Sequence, residues 1–193
     1  MQTKDLSSAR ALAAVGIFAA LTLLATSVLK IPTPTFGYIH IGDCFVLLAG
    51  LLLGPVCGGL AAGMGSALSD LLAGYVVWVP GTFIIKFLTA AAASLVFRRF
   101  HQFHETKTDR KALPFLLSAI CGELVMTAGY FLYNIIIVSF FSSTAVSGLA
   151  AAAAVSLAEI PFNLIQGIVG IILAAILYPV FVRNAAKSHL LIM

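Results

Sequence analysis

The run Ala9-Arg-Ala-Leu-Ala-Ala-Val-Gly-Ile-Phe-Ala-Ala-Leu-Thr-Leu-Leu-Ala-Thr-Ser-Val-Leu29 decides the class of fold, because one charge interrupts an otherwise apolar or small-residue segment. A bilayer core needs about 20 such residues in a helix, and this run supplies them. Lys4 before it, Arg10 at its start and Ala25-Thr-Ser27 near its end loosely resemble a secretory signal with its cleavage site. The apolar stretch is longer than the core of a signal peptide, and everything downstream has the same character, so it reads as a membrane span.

The rest of the chain agrees. Of 193 residues, 61% are hydrophobic and 9% charged, against about 25% charged in a soluble domain. The length allows at most about six or seven crossings. Working outward from the first segment, 9–29, the prolines and glycine of Lys30-Ile-Pro-Thr-Pro-Thr-Phe-Gly37 forbid continuation of a helix. Further segments are expected at 39–53, 55–75, 80–99, 114–141 and 158–182, with Gly54-Pro55 and Val79-Pro-Gly81 as breaks and an Ala-rich stretch before the last. The expectation is an all-α integral membrane protein, a single domain of six transmembrane helices.

Six crossings put both termini on one side. Nine of the eleven basic residues (Lys4, Arg10, Arg98, Arg99, Lys107, Arg110, Lys111, Arg183 and Lys187) then share that face, leaving Lys30 opposite and Lys86 within a span. The positive-inside rule makes that side cytoplasmic. The net charge of +4 does not indicate nucleic acid, because the basic residues lie in separate short loops without interleaved aromatics.

Five charges remain at or inside spans: Asp43, Asp70, Lys86, Glu123 and Glu159. Each costs at least about 2.5–3.5 kcal/mol at mid-bilayer, so each needs a partner, a proton or water. Three segments repeat the offsets 0, 4, 7 and 11, which keep four residues on one helix face. These stripes are Gly59, Gly63, Ser66 and Asp70; Glu123, Thr127, Tyr130 and Asn134; and Glu159, Asn163, Gln166 and Gly170. The glycine-rich stripe reads as helix-to-helix packing, and the carboxylate and amide stripes as the lining of a cavity. Asp70, Lys86 and Glu159 lie within one or two turns of the outer helix ends, ~6–12 Å deep. Tyr38, His40, Tyr75, Trp78, Phe140 and Phe141 sit in or beside the loops above them, either as an interfacial belt or as stacking partners for a flat ring. Lys86 is expected to pair with Asp70 or Glu123, or else to anchor a ligand.

Other chemistry finds little support. Cys44, Cys57 and Cys121 have no metal-type spacing and read as packing residues. His101 and His104 lack a third ligand nearby, so no metal is expected. No phosphate-binding loop, nucleophile elbow or zinc-protease motif is present. The chain is therefore not expected to be an enzyme or to carry a cofactor.

Gly37-Tyr-Ile-His-Ile-Gly-Asp43, Leu53-Gly-Pro55, Ser69-Asp-Leu-Leu-Ala-Gly-Tyr75, Pro80-Gly-Thr-Phe-Ile-Ile-Lys86, Glu123, Gly129-Tyr130, Pro161-Phe-Asn163 and Gln166-Gly167 together resemble the substrate-binding S components of energy-coupling factor (ECF) vitamin transporters. The resemblance implies a multi-pass subunit of a bacterial cell membrane that captures a vitamin under a lid made by the first loop. It implies docking onto a transmembrane coupling protein carrying two ATP-binding subunits. Carried over, the binding positions are Tyr38, Asp43, Trp78, Lys86, Glu123, Tyr130, Asn134, Glu159, Asn163 and Gln166. The docking positions are Ala9, Ala13, Gly16 and Ala20, two small-xxx-small pairs on the first segment. The carboxylates, amides and single lysine favour a small heteroaromatic vitamin or precursor, pyridoxine-like or hydroxymethylpyrimidine, with riboflavin as the in-family alternative. From other classes, a stand-alone proton-coupled transporter would exploit the same carboxylates, and a structural membrane protein would not bind a ligand at all.

Overall fold

A computed structural model describes residues 9–33, 37–103, 112–141 and 148–188. Lys4, Lys107, Arg110, Lys111 and His104 of the basic segments lie outside the described residues. The elements are α1 (Ala9–Val28), β1 (Ile31–Pro32), β2 (Tyr38–Ile39), α2 (Asp43–Leu53), α3 (Pro55–Leu72), α4 (Val79–Phe103), α5 (Ala112–Phe141), α6 (Leu149–Leu157) and α7 (Ile160–Ser188).

Helix α2 is the centre of the bundle. Its sequence is apolar on every side, and a helix with no polar face is stable only when surrounded. Ten of its residues, all but Phe45, are buried, against α1, α3, α4 and α7. The expected span at 39–53 is thus shorter than the sequence suggests: His40, Ile41 and Gly42 form a turn, and the helix begins at Asp43. At 1.5 Å per residue its eleven residues reach only about 16 Å. Gly54, at φ +91°, reverses the chain directly into α3, and Pro55 sits at the first position of that helix.

The glycines of α3 confirm a packing role but spread it around the helix. Gly58 lies against the backbone of Ala49, Gly65 against the carbonyl of Ala19, and Gly59 and Gly63 against Phe87 and Phe83. A methyl group at Gly63 would stand 2.8 Å from the Phe83 carbonyl oxygen. Three helices, α1, α2 and α4, therefore approach α3 at backbone distance.

Two further departures from the expected layout concern the loops. Ile31 and Pro32 pair with Ile39 and Tyr38 in a short antiparallel hairpin, and the Ala-rich stretch after Gly148 forms α6. Glu159 falls in the two-residue junction between α6 and α7, and the last helix runs from 160 to 188, through Pro179. Among the described residues, four helices are long and apolar enough to cross a membrane: Ala9–Val28, Val79–Phe100, Ala112–Phe140 and Ile160–Arg183. The pair α2 and α3 departs from that standard, the first by length and the second by its glycines and Asp70.

Phe97 and Phe115 pack on Tyr178 at the end where α4 and α7 finish and α5 starts, and Phe18 and Phe45 pack on Phe181 of the same helix. The opposite end gathers the last turn of α3 and the first turns of α2, α4 and α7. The polar stripes converge there.

A buried polar cavity at one end of the bundle

All five charges predicted to lie at or within spans are buried: Asp43, Asp70, Lys86, Glu123 and Glu159. They do not share one site. The cavity at the hairpin end is lined by Gly37, Tyr38 and His40 from the hairpin and its turn, by Asp70, Tyr75, Trp78 and Thr82 around the α3–α4 connection, and by Tyr130, Asn134, Glu159, Asn163 and Gln166. Seven of the ten expected binding positions are in that wall.

The other three lie deeper. Lys86 donates to Asp43, and both side chains are completely buried. The partner of Lys86 is thus Asp43, which neither of the expected pairings named. Its ammonium also packs 5.2 Å from the ring centre of Tyr130, which lines the cavity. Glu123 faces a groove between α5 and α7 together with Thr127 and Gly167. Both of its carboxylate oxygens are buried without a hydrogen-bond partner.

Gln166 joins the cavity wall to the ion pair. Its Nε2 donates to Asp43 Oδ2 at 2.7 Å, and its Oε1 accepts the His40 backbone N–H at 3.0 Å. Gly170, one turn further along α7, makes the contact possible, since a Cβ there would stand 2.9 Å from Asp43 Cβ. The spacing of Gln166 and Gly170 seen in the sequence is a geometric requirement of this approach.

The hairpin is tied down on its other side as well. The Tyr38 hydroxyl donates to Asp70, which also hydrogen-bonds Thr82, and Tyr130 donates to Thr82 at 3.3 Å. Lys30 donates to the Ser69 carbonyl at 3.2 Å and lies over the Tyr38 ring at 4.7 Å. Burial raises the Tyr38 phenol above its ordinary pKa, and the neighbouring Asp70 carboxylate adds to the effect. Burial also lowers the Lys30 ammonium, with Asp70 opposing.

His40 is held neutral by burial, its pKa lowered to about 3. Its Nδ1 accepts the Gly42 N–H at 3.0 Å, so the ring proton resides on Nε2. Aromatic rings complete the wall: Trp78 lies 6.1 Å from Tyr130 and 5.8 Å from Tyr133, and Tyr38 lies 4.9 Å from Tyr75. Phe140, by contrast, is 79% exposed and takes no part.

His40, Asp70, Tyr75 and Thr82 line the cavity beyond the ten positions carried over from the family. All four sit inside the quoted motifs. Thr82 had a direct signal, since it precedes Lys86 by one helical turn. Among the described residues, no three His, Cys, Asp or Glu side chains gather as a metal would require.

The fold belongs to a known class. The chain superposes with a TM-score of 0.63, at 22% identity and over 91% of its own length and 96% of the other, on a solved structure described as the S component of a bacterial ECF transporter. An uncharacterized protein of Pyrococcus woesei is 33% identical over 108 residues, which make up 55% of this chain and 66% of that relative. Residues 6–183 match the sequence model of the ECF-type riboflavin transporter S component, and the chain belongs to that family.

Proposed function

We propose that this chain is the vitamin-capturing membrane subunit of an ECF transporter and that its ligand is riboflavin. The observation that carries the reading is the composition of the cavity wall. Tyr38, Tyr75, Trp78 and Tyr130 supply ring faces, while Asn134, Asn163 and His40 supply donors and acceptors around them. A flat tricyclic ring with an imide edge and a polyhydroxylated chain suits such a wall, where aromatic stacking orients and a few polar groups select. Of the carboxylates and lysine that favoured a smaller ring, Asp70 and Glu159 line the cavity, while Asp43, Lys86 and Glu123 do not.

One observation keeps a pyridoxine-like ring or hydroxymethylpyrimidine as the second reading. The free volume is only about 40 Å³, roughly three waters' worth. Either ligand must displace side chains, and the smaller displaces fewer. The hairpin is the element best placed to move, since Tyr38 and His40 form one wall and strands of two residues hold it.

In this reading the chain crosses the cell membrane six times, with α6 outside the count and both termini cytoplasmic, so that the cavity opens outward. Ala9, Ala13, Gly16 and Ala20 form one exposed stripe on α1, while Ala11, Ala14, Phe18, Thr22 and Ala25 face inward. The two small-residue pairs therefore make a single surface on which a helix of a coupling protein can pack. ATP hydrolysis belongs to separate subunits.

Titration of the purified chain with riboflavin, pyridoxine and hydroxymethylpyrimidine, followed by quenching of Trp78, tests the ligand. Tight binding of riboflavin alone is the expected result, and binding of pyridoxine alone establishes the second reading. Uptake into vesicles with and without coupling and ATP-binding subunits tests the partners. Full gradient-driven uptake by the chain alone overturns the assignment in favour of a secondary transporter.

A further inference from the structure

We propose that Gln166 is a positioning residue, a strut that holds the cavity's hairpin wall to the buried Asp43–Lys86 pair and thereby sets how fast ligand leaves. The proposal rests on the reading of the cavity as a vitamin site, but the strut itself is a property of the unliganded chain.

The amide of Gln166 is engaged at both ends, and its orientation is dictated by its partners. The Asp43 carboxylate can only accept, and the His40 backbone N–H can only donate. Turning the amide over would put oxygen against carboxylate and NH2 against N–H, so a single arrangement satisfies both. The nitrogen end is fixed in turn, because Asp43 is held by Lys86 on its other oxygen with neither side chain exposed. A charge-assisted bond in that setting is stronger than one between neutral groups.

The oxygen end controls the hairpin. His40 immediately follows β2, whose Tyr38 lines the cavity, and its Nδ1 accepts from Gly42 to close the turn into α2. Among the described residues, residues 40–42 are therefore a short link tied to α7 by the His40 N–H to Gln166. The hairpin's other ties, Tyr38 to Asp70 and Lys30 to the Ser69 carbonyl, lie on the α3 side. Lifting the hairpin from α3 leaves the Gln166 bond as its pivot, whereas losing Gln166 leaves its base on α7 by packing alone.

Hydrogen exchange of the unliganded protein, read by mass spectrometry over residues 31–42, tests this on Gln166→Leu and Gln166→Asn. The first removes both hydrogen bonds. The second keeps the amide but shortens the arm by one methylene, so it cannot span both partners, and it remains informative if the first folds poorly. Loss of the strut is expected to raise exchange of 31–42 about tenfold, with α3 and α4 unchanged. With riboflavin as the probe, dissociation accelerates by a similar factor while association changes little.

Unchanged exchange in both variants overturns the proposal, and a fall in riboflavin affinity alongside it makes Gln166 a plain ligand contact. If the wild-type chain binds no riboflavin, the exchange measurement still decides whether the strut exists, and only the assignment of the ligand fails.

Discussion

Lys86 on α4 and Asp43 at the start of α2 form an ion pair in which neither side chain reaches solvent. Each charge is tolerated at that depth only because the other is present, and Gln166 occupies the second oxygen of Asp43. Removing one partner strands a buried charge, at a cost of about 3–5 kcal/mol. Asp43→Asn and Lys86→Met are each expected to lower the thermal midpoint in detergent sharply. The double variant should recover part of the loss, since no charge is then left alone. Additive losses in the double-mutant cycle would show that the two charges are not coupled.

Glu123 is the contrasting case. Its carboxylate is buried with no hydrogen bond to either oxygen, and it faces the α5–α7 groove rather than the cavity. An unpartnered polar group in the interior weakens the fold. Glu123→Gln and Glu123→Leu should therefore leave the thermal midpoint equal or raise it, with riboflavin affinity within about threefold of wild type, a change worth under 1 kcal/mol. A loss of binding beyond tenfold would place Glu123 in contact with ligand after all.

A pH response is expected from His40. Its pKa is lowered from 6.5 to about 3 by burial, so the folded chain keeps it neutral while an opened hairpin lets it protonate near 6.5. The opened state then binds more protons than the closed one, and the closed state loses stability as pH falls from about 6.5 toward 3. The equilibrium shifts toward opening by up to about tenfold per pH unit in that window. The thermal midpoint, measured between pH 8 and 4.5, should be flat above pH 7 and fall below it. In His40→Asn, whose amide oxygen can still accept the Gly42 N–H, the contribution of this residue disappears and the profile flattens. An unchanged profile would show that another group titrates.

Trp78 lines the cavity with its ring 6.1 Å from Tyr130. An aromatic pair contributes about 0.5–1.5 kcal/mol beyond the area it buries, so Trp78→Ala should weaken riboflavin binding about tenfold. Trp78→Phe should recover most of the loss. Affinity unchanged in both variants would identify Trp78 as an interfacial anchor, the alternative that its loop position allows.

The sequence revealed the site in outline because charge is scarce. Five charges in apolar surroundings had to be buried, and all five are. The 0, 4, 7, 11 stripes of α5 and α7 placed Tyr130, Asn134, Asn163 and Gln166 on the cavity wall. The depth at which each stripe meets its neighbour could not be read. That depth separates Glu123 from Asn134 on one helix face, and it gives Lys86 the partner Asp43 rather than Asp70 or Glu123. Helix α2 was overextended for a related reason. Ile39 and Ile41 carry the apolar character of the helix after them back to residue 39, and only the pairing of Tyr38 and Ile39 with β1 and the closed turn at Gly42 show that the helix has not begun.

The α1 stripe separates folding from partnership. Ala13 and Gly16 are exposed, and a Cβ added at Gly16 meets nothing within 4 Å, whereas one at Gly65 would strike the Ala19 carbonyl. Gly65→Ala should thus destabilise the protein, because two backbones must part, while Gly16→Ala costs little on that ground. Enlarging the stripe with Ala13→Leu and Gly16→Leu leaves the interior untouched, so riboflavin binding by the isolated chain should stay within about twofold, a change under 0.5 kcal/mol. The same variants remove the small surface that lets a second helix approach closely. Co-purification with the coupling and ATP-binding subunits, and ATP-driven uptake into vesicles, should both fall steeply. Normal assembly and uptake by the double variant would move the docking surface to another face of the bundle.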